Sequence, residues 1–316
     1  MFEFIPAEQL AAEEPVETDY IVEQLLVHGA ITNFTAKIKG GKTTYIGAML
    51  RAMFTEQDHM GLKTHKVRVL YCTEEGRKSF RSFLGRTGLE DTGGNLDLLF
   101  LGSVNRQIPW PTVVEEVLRY ATQVGSEVII FDTLTRWARI PPEKENDAGT
   151  AATVMEPLEV IRGTGMAVLA VFHDRKSGGD VSDSTRGSSA FGGAADILLQ
   201  LSNPSTNGHP NRRKLEMVGR FDDSAEWVID WDTEQQVYTC QSNGDLAIER
   251  LLMRSSIEMH LFAGALTGVE LADAMKTNPR DQSFRRALSE LMEESRIARD
   301  GKGVNRNPYT YRLTSL

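Results

Sequence analysis

Cysteine is nearly absent from this chain, with Cys72 and Cys240 as its two examples among 316 residues. Two cysteines are too few for a disulfide framework or a cysteine zinc site, and their scarcity fits a reducing, cytoplasmic environment. Long apolar runs are also missing, since no stretch approaches the roughly 18–20 residues that a membrane-spanning helix needs. The N-terminal stretch MFEFIPAEQLAAEEP is acidic. We therefore expect neither a signal peptide, nor a transit peptide, nor a membrane partner.

The chain also lacks a net positive charge. Its formal net charge is −9, so a nucleic-acid partner would need a local basic surface rather than a globally basic protein. The charge is uneven, because residues 250–316 hold 11 lysines and arginines against 8 aspartates and glutamates. A Ser-Asn-Gly-Asp stretch at 242–245 is a plausible linker. We predict two domains, at residues 1–243 and 244–316.

Apolar runs alternate with helical stretches through the first part of the chain. Five runs rich in Val, Ile, Leu and Phe are typical of strands buried on both faces, and they lie at 30–36, 67–73, 96–102, 128–134 and 167–173. Four more follow one another through turns and predict antiparallel strands, at 195–201, 213–221, 225–231 and 235–240. The predicted fold class is α/β, a mostly parallel sheet with antiparallel edge strands and helices on both faces.

The segment AKIKGGKTT (36–44) joins the first of these strands to a helical stretch. It has the arrangement G-x-x-x-x-G-K-[ST] of a phosphate-binding loop (P-loop), with alanine for the first glycine. Such a loop turns main-chain N–H groups toward phosphate, its lysine reaches the β- and γ-phosphates, and its hydroxyl binds Mg²⁺. The pattern predicts binding of ATP and Mg²⁺. The predicted binding residues are Ala36, Lys39, Gly40, Gly41, Lys42, Thr43 and Thr44.

Lys37 keeps an alternative open. Partition-type ATPases carry a signature lysine at this position, in the pattern K-G-G-x-G-K-[ST]. Those loops have glycines directly after that lysine, whereas Ile38 and Lys39 stand there in this chain. The partition-type interpretation is weakened but remains.

Two strand ends place carboxylates near this loop. VIIFD puts Asp132 at the end of an apolar strand, which is the position of a Walker B aspartate that helps to hold Mg²⁺. No glutamate follows it, so the group that orients or deprotonates the attacking water must come from another strand. In the stretch VLYCTEEG (69–76), Glu74 and Glu75 follow directly after the second strand. Two solvated glutamates that begin a helix would produce the same pattern.

With a glutamate at that strand end, the chain resembles RecA-like hexameric ATPases. These include the DnaB-type and plasmid RepA-type replicative helicases. AVLAVFHDRKSGGDVSDSTRGSSAFGGAADILLQL (167–201) is similar to RepA-like ATPases in its order of elements. A strand ends in histidine, and a Gly/Ser-rich loop, an R-G-S-S-A stretch and A-A-D before the next strand follow. The resemblance covers about residues 15–240. It implies an ATP-hydrolysing homo-hexamer that acts on DNA, a replicative-type helicase of a plasmid, phage or mobile element.

The same resemblance implies roles for single residues. Glu74 is the preferred base and Glu75 the second choice, His173 senses the γ-phosphate, and Arg220 is an arginine finger that acts on the neighbouring subunit's ATP. Those helicases often carry a lysine two residues before the finger, where this chain has Val218. A solvent-facing histidine and a structural surface arginine are the alternatives. The predicted catalytic residues are Glu74, Lys42, His173 and Arg220.

The resemblance to RecA-like proteins also implies that the loop at 174–190 faces the central channel of the ring and contacts single-stranded DNA. Its basic residues are Arg175, Lys176 and Arg186. A surface loop without a nucleic-acid partner would have a similar composition.

The last part of the chain reads as three helices followed by two short strands around a Gly/Asn/Pro-rich loop. This order resembles a winged helix-turn-helix domain, with the third helix as recognition helix. Three glutamates in that helix keep open a protein-docking role for the domain. Separately, the missing lysine at position 218 keeps open a second function, an ATP-switched DNA-binding regulator, partition or loader protein without unwinding activity. The residues predicted to meet DNA here are Arg285, Arg286, Lys302 and Arg306.

Overall fold

A computed structural model describes residues 4–12, 17–173, 189–203, 210–243, 245–279, 281–301 and 308–314. In these ranges the helices are α1 (Ala7–Ala12), α2 (Lys42–Thr55), α3 (Arg77–Thr87), α4 (Trp110–Val124), α5 (Leu134–Trp137), α6 (Ala148–Arg162), α7 (Ser189–Gly193), α8 (Asp245–Phe262), α9 (Gly268–Ala274) and α10 (Gln282–Glu293).

The strands of the same ranges are β1 (Tyr20–Val22), β2 (Leu26–Val27), β3 (Ile31–Ala36), β4 (Val69–Thr73), β5 (Leu96–Phe100), β6 (Val128–Asp132), β7 (Ala167–His173), β8 (Ile197–Ser202), β9 (Arg212–Gly219), β10 (Ala225–Asp232), β11 (Val237–Asn243), β12 (Leu266–Thr267), β13 (Ile297–Asp300) and β14 (Thr310–Leu313).

A nine-stranded sheet organises the chain, in the order β11-β10-β9-β8-β3-β7-β6-β4-β5. The six strands from β8 to β5 in that order run parallel, and β9, β10 and β11 continue from β8 as antiparallel strands. The predicted α/β fold, with a parallel core and antiparallel edge strands, is confirmed. Because β3 lies between β7 and β8, the loop that follows β3 starts near the middle of the sheet.

The parallel strands are apolar because both faces of the sheet are covered. Every residue of β3, β4 and β6 is buried. Helices α2 and α3 supply side chains to the core on one face, and α4, α5 and α6 supply them to the core on the other. Each fully buried Val, Leu, Ile or Phe side chain contributes about 1.5–3 kcal/mol relative to exposure. The two cores hold the carboxyl ends of the strands in a fixed arrangement at one edge.

Helices α8, α9 and α10 enclose a third apolar core with the small sheet β12-β14-β13. The predicted three helices and strand hairpin are present, and β12 adds a short third strand to them. A buried hydrogen bond joins this part to the large sheet, because an Arg212 Nη1–H donates to Ser255 Oγ at 2.8 Å. The predicted domain boundary stays a prediction, since residue 244 is outside the described ranges. No helix within those ranges is long and apolar enough to cross a membrane.

Candidate active site

The loop between β3 and α2 has the backbone geometry of a tight turn. Lys39 and Gly41 have positive φ angles of 62° and 95°. The Gly40 N–H donates to the Lys37 carbonyl at 2.8 Å, and a Cβ added to Gly40 would lie 2.8 Å from that same oxygen. A side chain at this position would therefore collide with backbone, so the turn requires glycine. The turn delivers the chain into the N-terminus of α2, where helix N–H groups attract anions.

The remaining predicted loop residues lie on either side of the turn. Ala36 is the last residue of β3, is fully buried, and pairs with His173 of β7. Ala36 is not one of the described residues that have a positive φ angle. Alanine therefore fits where the P-loop pattern has glycine. Thr43 and Thr44 lie in the first turn of α2.

The Lys42 ammonium lies at the end of β7. Its Nζ donates to the Phe172 carbonyl at 2.9 Å and lies 3.1 Å from Nδ1 of His173. Burial lowers the pKa of Lys42, and the charges of Asp132 and Glu74 oppose that effect. Because an ammonium group only donates, Nδ1 of His173 accepts and Nε2 is the ring atom that carries hydrogen.

His173 links this lysine to Glu74. Its Nε2 lies 3.9 Å from Glu74 Oε1. Thr133 Oγ1–H donates to Glu74 Oε2 at 3.1 Å, and Arg136 Nε lies 3.4 Å from the same oxygen. Burial raises the pKa of Glu74, but nearby His173, the hydrogen bond from Thr133 and the charge of Arg136 together outweigh it, so the net pKa is lowered. Glu74 is therefore ionised at neutral pH and can accept a proton.

Glu75 points elsewhere. Its carboxylate accepts a hydrogen bond from Ser79 Oγ, on the first turn of α3. Its N–H donates to Thr73 Oγ1. Of the two adjacent glutamates, only Glu74 joins the group around Lys42.

Asp132 lies beside these residues at the end of β6 and is 7% exposed. Tyr71 donates its hydroxyl hydrogen to Asp132 Oδ2 at 2.7 Å. Burial raises the pKa of this carboxyl, and the charge of Lys42 and the Tyr71 hydrogen bond offset that effect only in part, so the net pKa is raised. The described residues hold no cluster of three or more His, Cys, Asp or Glu side chains that could bind a metal ion by themselves. A single carboxylate and the Thr43 hydroxyl, both oxygen donors, fit Mg²⁺ that is bound together with nucleotide phosphates.

Arg220 lies away from this group. It follows β9, whose last residue pairs with Ile197 at the start of β8, so it stands at the edge of the sheet opposite the P-loop. Its Nη1 lies 3.1 Å from Asp196 Oδ1, and its side chain is 61% exposed. Six residues of β3 separate the two edges, or about 17 Å. Arg220 therefore cannot reach a nucleotide on the P-loop of its own chain.

The structure describes two of the seven residues that are predicted to contact DNA. Arg285 and Arg286 are exposed on α10, and Arg286 Nε donates to Glu290 at 3.0 Å. Arg250 of α8 pairs with the same glutamate. Five further predicted residues lie outside the described ranges: Arg175, Lys176, Arg186, Lys302 and Arg306.

Three residues near the site belong to no sequence motif and were not predicted. Tyr71 and Arg136 contact Asp132 and Glu74, and Arg213 of β9 donates from Nε to the Gly40 carbonyl at 2.9 Å. The phase of β4 and the position of Arg136 after the Walker B strand were weak signals for the first two. For Arg213 no local signal exists, because 173 residues separate it from the loop that it contacts.

Gly40→Ala tests the turn. We expect nucleotide affinity to fall by at least tenfold, because the new Cβ displaces the Lys37 carbonyl and with it the neighbouring N–H groups. Titration with a fluorescent ATP analogue measures the change. Gly102→Ala is the matched control, since a Cβ there meets no atom within 4 Å. Equal affinities of the two variants would contradict the described turn.

One family model and two solved structures are similar to this chain. The AAA_25 family model, an AAA domain, matches residues 1–179, which is more than half of the chain. A KaiC-like protein from the hyperthermophilic archaeon Pyrococcus horikoshii OT3 is 12% identical, with a TM-score of 0.49, over 72% of this chain and 100% of that one. The ATPase domain of G40P is 13% identical, with a TM-score of 0.50, over 68% of this chain and 86% of that one. No curated protein matches significantly.

The structural similarity to the ATPase domain of G40P indicates a shared fold. At 13% identity it indicates nothing finer. The family match covers β3, the loop, Lys42, Glu74, Asp132 and His173. The chain therefore belongs to the AAA_25 family of AAA domains, as a P-loop ATPase with a RecA-like fold.

Proposed function

We propose that the chain is an ATP-hydrolysing, ring-forming motor that acts on DNA, of the replicative-helicase type found in plasmids, phages or mobile elements. One observation carries the proposal most directly. Lys42, His173 and Glu74 lie in a row at one edge of the sheet, with Lys42 Nζ 3.1 Å from His173 Nδ1, His173 Nε2 3.9 Å from Glu74 Oε1, and Asp132 beside them. This row brings a phosphate-binding cation, a strand-end histidine and an ionised carboxylate to the same place.

The loop residues would bind ATP. Gly40 and Gly41 provide a turn without side chains, and the N-terminus of α2 adds its partial positive charge. Lys42 would exchange its bonds to Phe172 and His173 for the β- and γ-phosphates. Thr43 and Asp132 would hold Mg²⁺, which when bound supplies charge neutralisation of the phosphates.

Glu74 would orient or deprotonate the attacking water. Its lowered pKa keeps it in the basic form at neutral pH, and Thr133 and Arg136 fix its second oxygen. Its first oxygen faces His173 and is the one available for water. Since a base acts only on a molecule within hydrogen-bond reach, this positioning matters as much as the pKa.

His173 would couple hydrolysis to DNA. One ring nitrogen faces Lys42 and the other faces Glu74, and the predicted DNA-binding loop follows directly in the chain. When Lys42 moves to the phosphates, Nδ1 of His173 loses its hydrogen-bond partner. The imidazole ring is then free to rotate. Arg175, Lys176 and Arg186 would then meet single-stranded DNA in the channel of a homo-hexamer.

Arg220 supports assembly into a ring. It is 61% exposed and about 17 Å from the P-loop edge of its own sheet, so a role on phosphate requires a second subunit. A neighbour's Arg220 would stabilise negative charge on the transferring phosphoryl group.

One observation favours the second function, an ATP-switched DNA-binding regulator, partition or loader protein. Val218 stands where the resembling helicases often carry a lysine two residues before the finger, which fits a slow switch better than a fast motor. The ion pairs of the last part of the chain bear on a different question, because Arg286 of α10 and Arg250 of α8 both pair with Glu290. These pairs reduce the positive charge that α10 offers to duplex DNA, which favours protein docking as the role of that part.

Strand displacement separates the two functions. We expect the wild-type chain, with Mg²⁺ and ATP, to release a labelled strand from a forked duplex, and the Lys42→Ala variant to release none. A protected site on one duplex sequence, without any strand release, would replace the motor by the regulator.

A further inference from the structure

The peptide unit between Gly40 and Gly41, in the phosphate-binding loop, has few steric limits on its rotation. Both flanking residues are glycines, which adopt positive and negative φ about equally readily. In a trans peptide the C=O and the N–H point in opposite directions, so a rotation of this one unit would exchange the two groups. An N–H would then leave the phosphate side of the loop and a carbonyl oxygen, which repels phosphate, would replace it.

Arg213 holds this peptide unit from outside the loop. Its Nε–H donates to the Gly40 carbonyl at 2.9 Å. Its guanidinium also lies 3.0 Å from the position that a Cβ on Gly41 would take, so it covers that side of the turn closely. Gly41 itself has a φ of 95°.

Contacts outside the phosphate-binding loop also hold the Arg213 guanidinium in place. Its Nη1 donates to the carbonyls of Pro210 at 2.8 Å and Arg212 at 2.6 Å. The backbone of Arg213 pairs with Ile229 in β10. Tyr238 closes the same side, with its hydroxyl 3.6 Å from the Cβ position of Gly41, and burial raises its pKa to about 12, so the hydroxyl is neutral. The Arg213 guanidinium is thus a positively charged group that is held in place beside the loop.

We propose that Arg213 is a positioning residue for nucleotide binding, which locks the Gly40–Gly41 peptide with its carbonyl outward and the Gly41 N–H toward the phosphates. The antiparallel strands of the sheet thereby contribute to the P-loop of their own chain. The proposal rests on the proposed binding of ATP at this loop, and it does not depend on DNA or on ring assembly. The ligand group concerned is the β-phosphate of a nucleoside di- or triphosphate.

Arg213→Met tests the lock, since methionine keeps much of the length and loses the donors. We expect ADP and ATP affinities to fall by about tenfold or more, which is the effect of losing a charge-assisted hydrogen bond. Arg213→Lys, with one donor, is expected to recover part of the loss. The nucleotide-free variant should still unfold cooperatively, at a melting temperature somewhat below that of the wild type, because the carbonyls of Gly40, Pro210 and Arg212 lose a donor. At ADP concentrations that saturate both proteins, a glycine-selective ¹⁵N spectrum should show a smaller shift of the Gly41 amide signal in Arg213→Met than in the wild type.

Arg51→Met is the matched control. Arg51 also donates to a main-chain carbonyl across a long chain separation, that of Gln235 at 2.7 Å, but at the far end of α2. Its variant should bind nucleotide like the wild type. Wild-type affinity and an unchanged Gly41 signal shift in Arg213→Met would overturn the proposal. Absence of nucleotide binding by the wild type would instead remove the proposed function itself, so the two failures are distinguishable.

Discussion

Replacing Glu74 by glutamine is expected to reduce the rate of ATP hydrolysis by about 10²- to 10⁴-fold while ATP still binds. Glutamine keeps the size of the side chain and can still accept the Thr133 hydrogen bond, but it cannot take a proton from water. Lys42, which provides the proposed binding contacts, remains. Steady-state phosphate release and titration with a fluorescent ATP analogue measure the two quantities.

Glu75→Gln is the matched control for this experiment. It removes the same charge one residue further along the chain, where the carboxylate contacts Ser79 of α3. We expect a rate within a few-fold of the wild type. A Glu74→Gln enzyme that turns over normally, or a Glu75→Gln enzyme that does not, would show that the base is assigned to the wrong glutamate.

Mixing two inactive variants is expected to restore hydrolysis. Arg220→Ala alone should lower the rate by about 10³- to 10⁵-fold, the effect of losing an arginine finger. In rings assembled from Arg220→Ala and Glu74→Gln subunits in equal amounts, about a quarter of the interfaces combine an intact Glu74 with a neighbour's intact Arg220. Activity should therefore return to roughly that share of the wild-type rate.

Arg162→Ala separates the finger from the structural role of Arg220. Arg162 also contacts Asp196, with its Nη1 3.4 Å from Oδ1, so its loss perturbs the same buried carboxylate. We expect this variant to keep near-wild-type hydrolysis. If the mixture of Arg220→Ala and Glu74→Gln stays inactive although both variants assemble, Arg220 does not act between subunits.

The fold was predictable because its signals are local. Strands buried on both faces must be apolar throughout, and β3, β4, β6 and β7 are visible in the sequence as such runs. The residues that end these strands then meet at one edge, since parallel strands share their carboxyl edge. Lys42, Glu74, Asp132 and His173 could be grouped from the sequence for this reason.

The contacts across the sheet were not predictable. Arg213 reaches Gly40 only because β9 lies next to β8 and β8 next to β3, which no spacing in the sequence encodes. The direction of β9 has a second consequence, because it places Arg213 at the P-loop edge and Arg220 at the opposite edge. A basic residue near a strand end therefore needs the strand order before it can be assigned to a site.

The rate of ATP hydrolysis with and without single-stranded DNA tests the central claim most directly. The account predicts Mg²⁺-dependent hydrolysis that single-stranded DNA stimulates strongly, because His173 connects the phosphate site to the proposed DNA-binding loop. A slow rate that is the same with single-stranded DNA, duplex DNA and no DNA would contradict the motor.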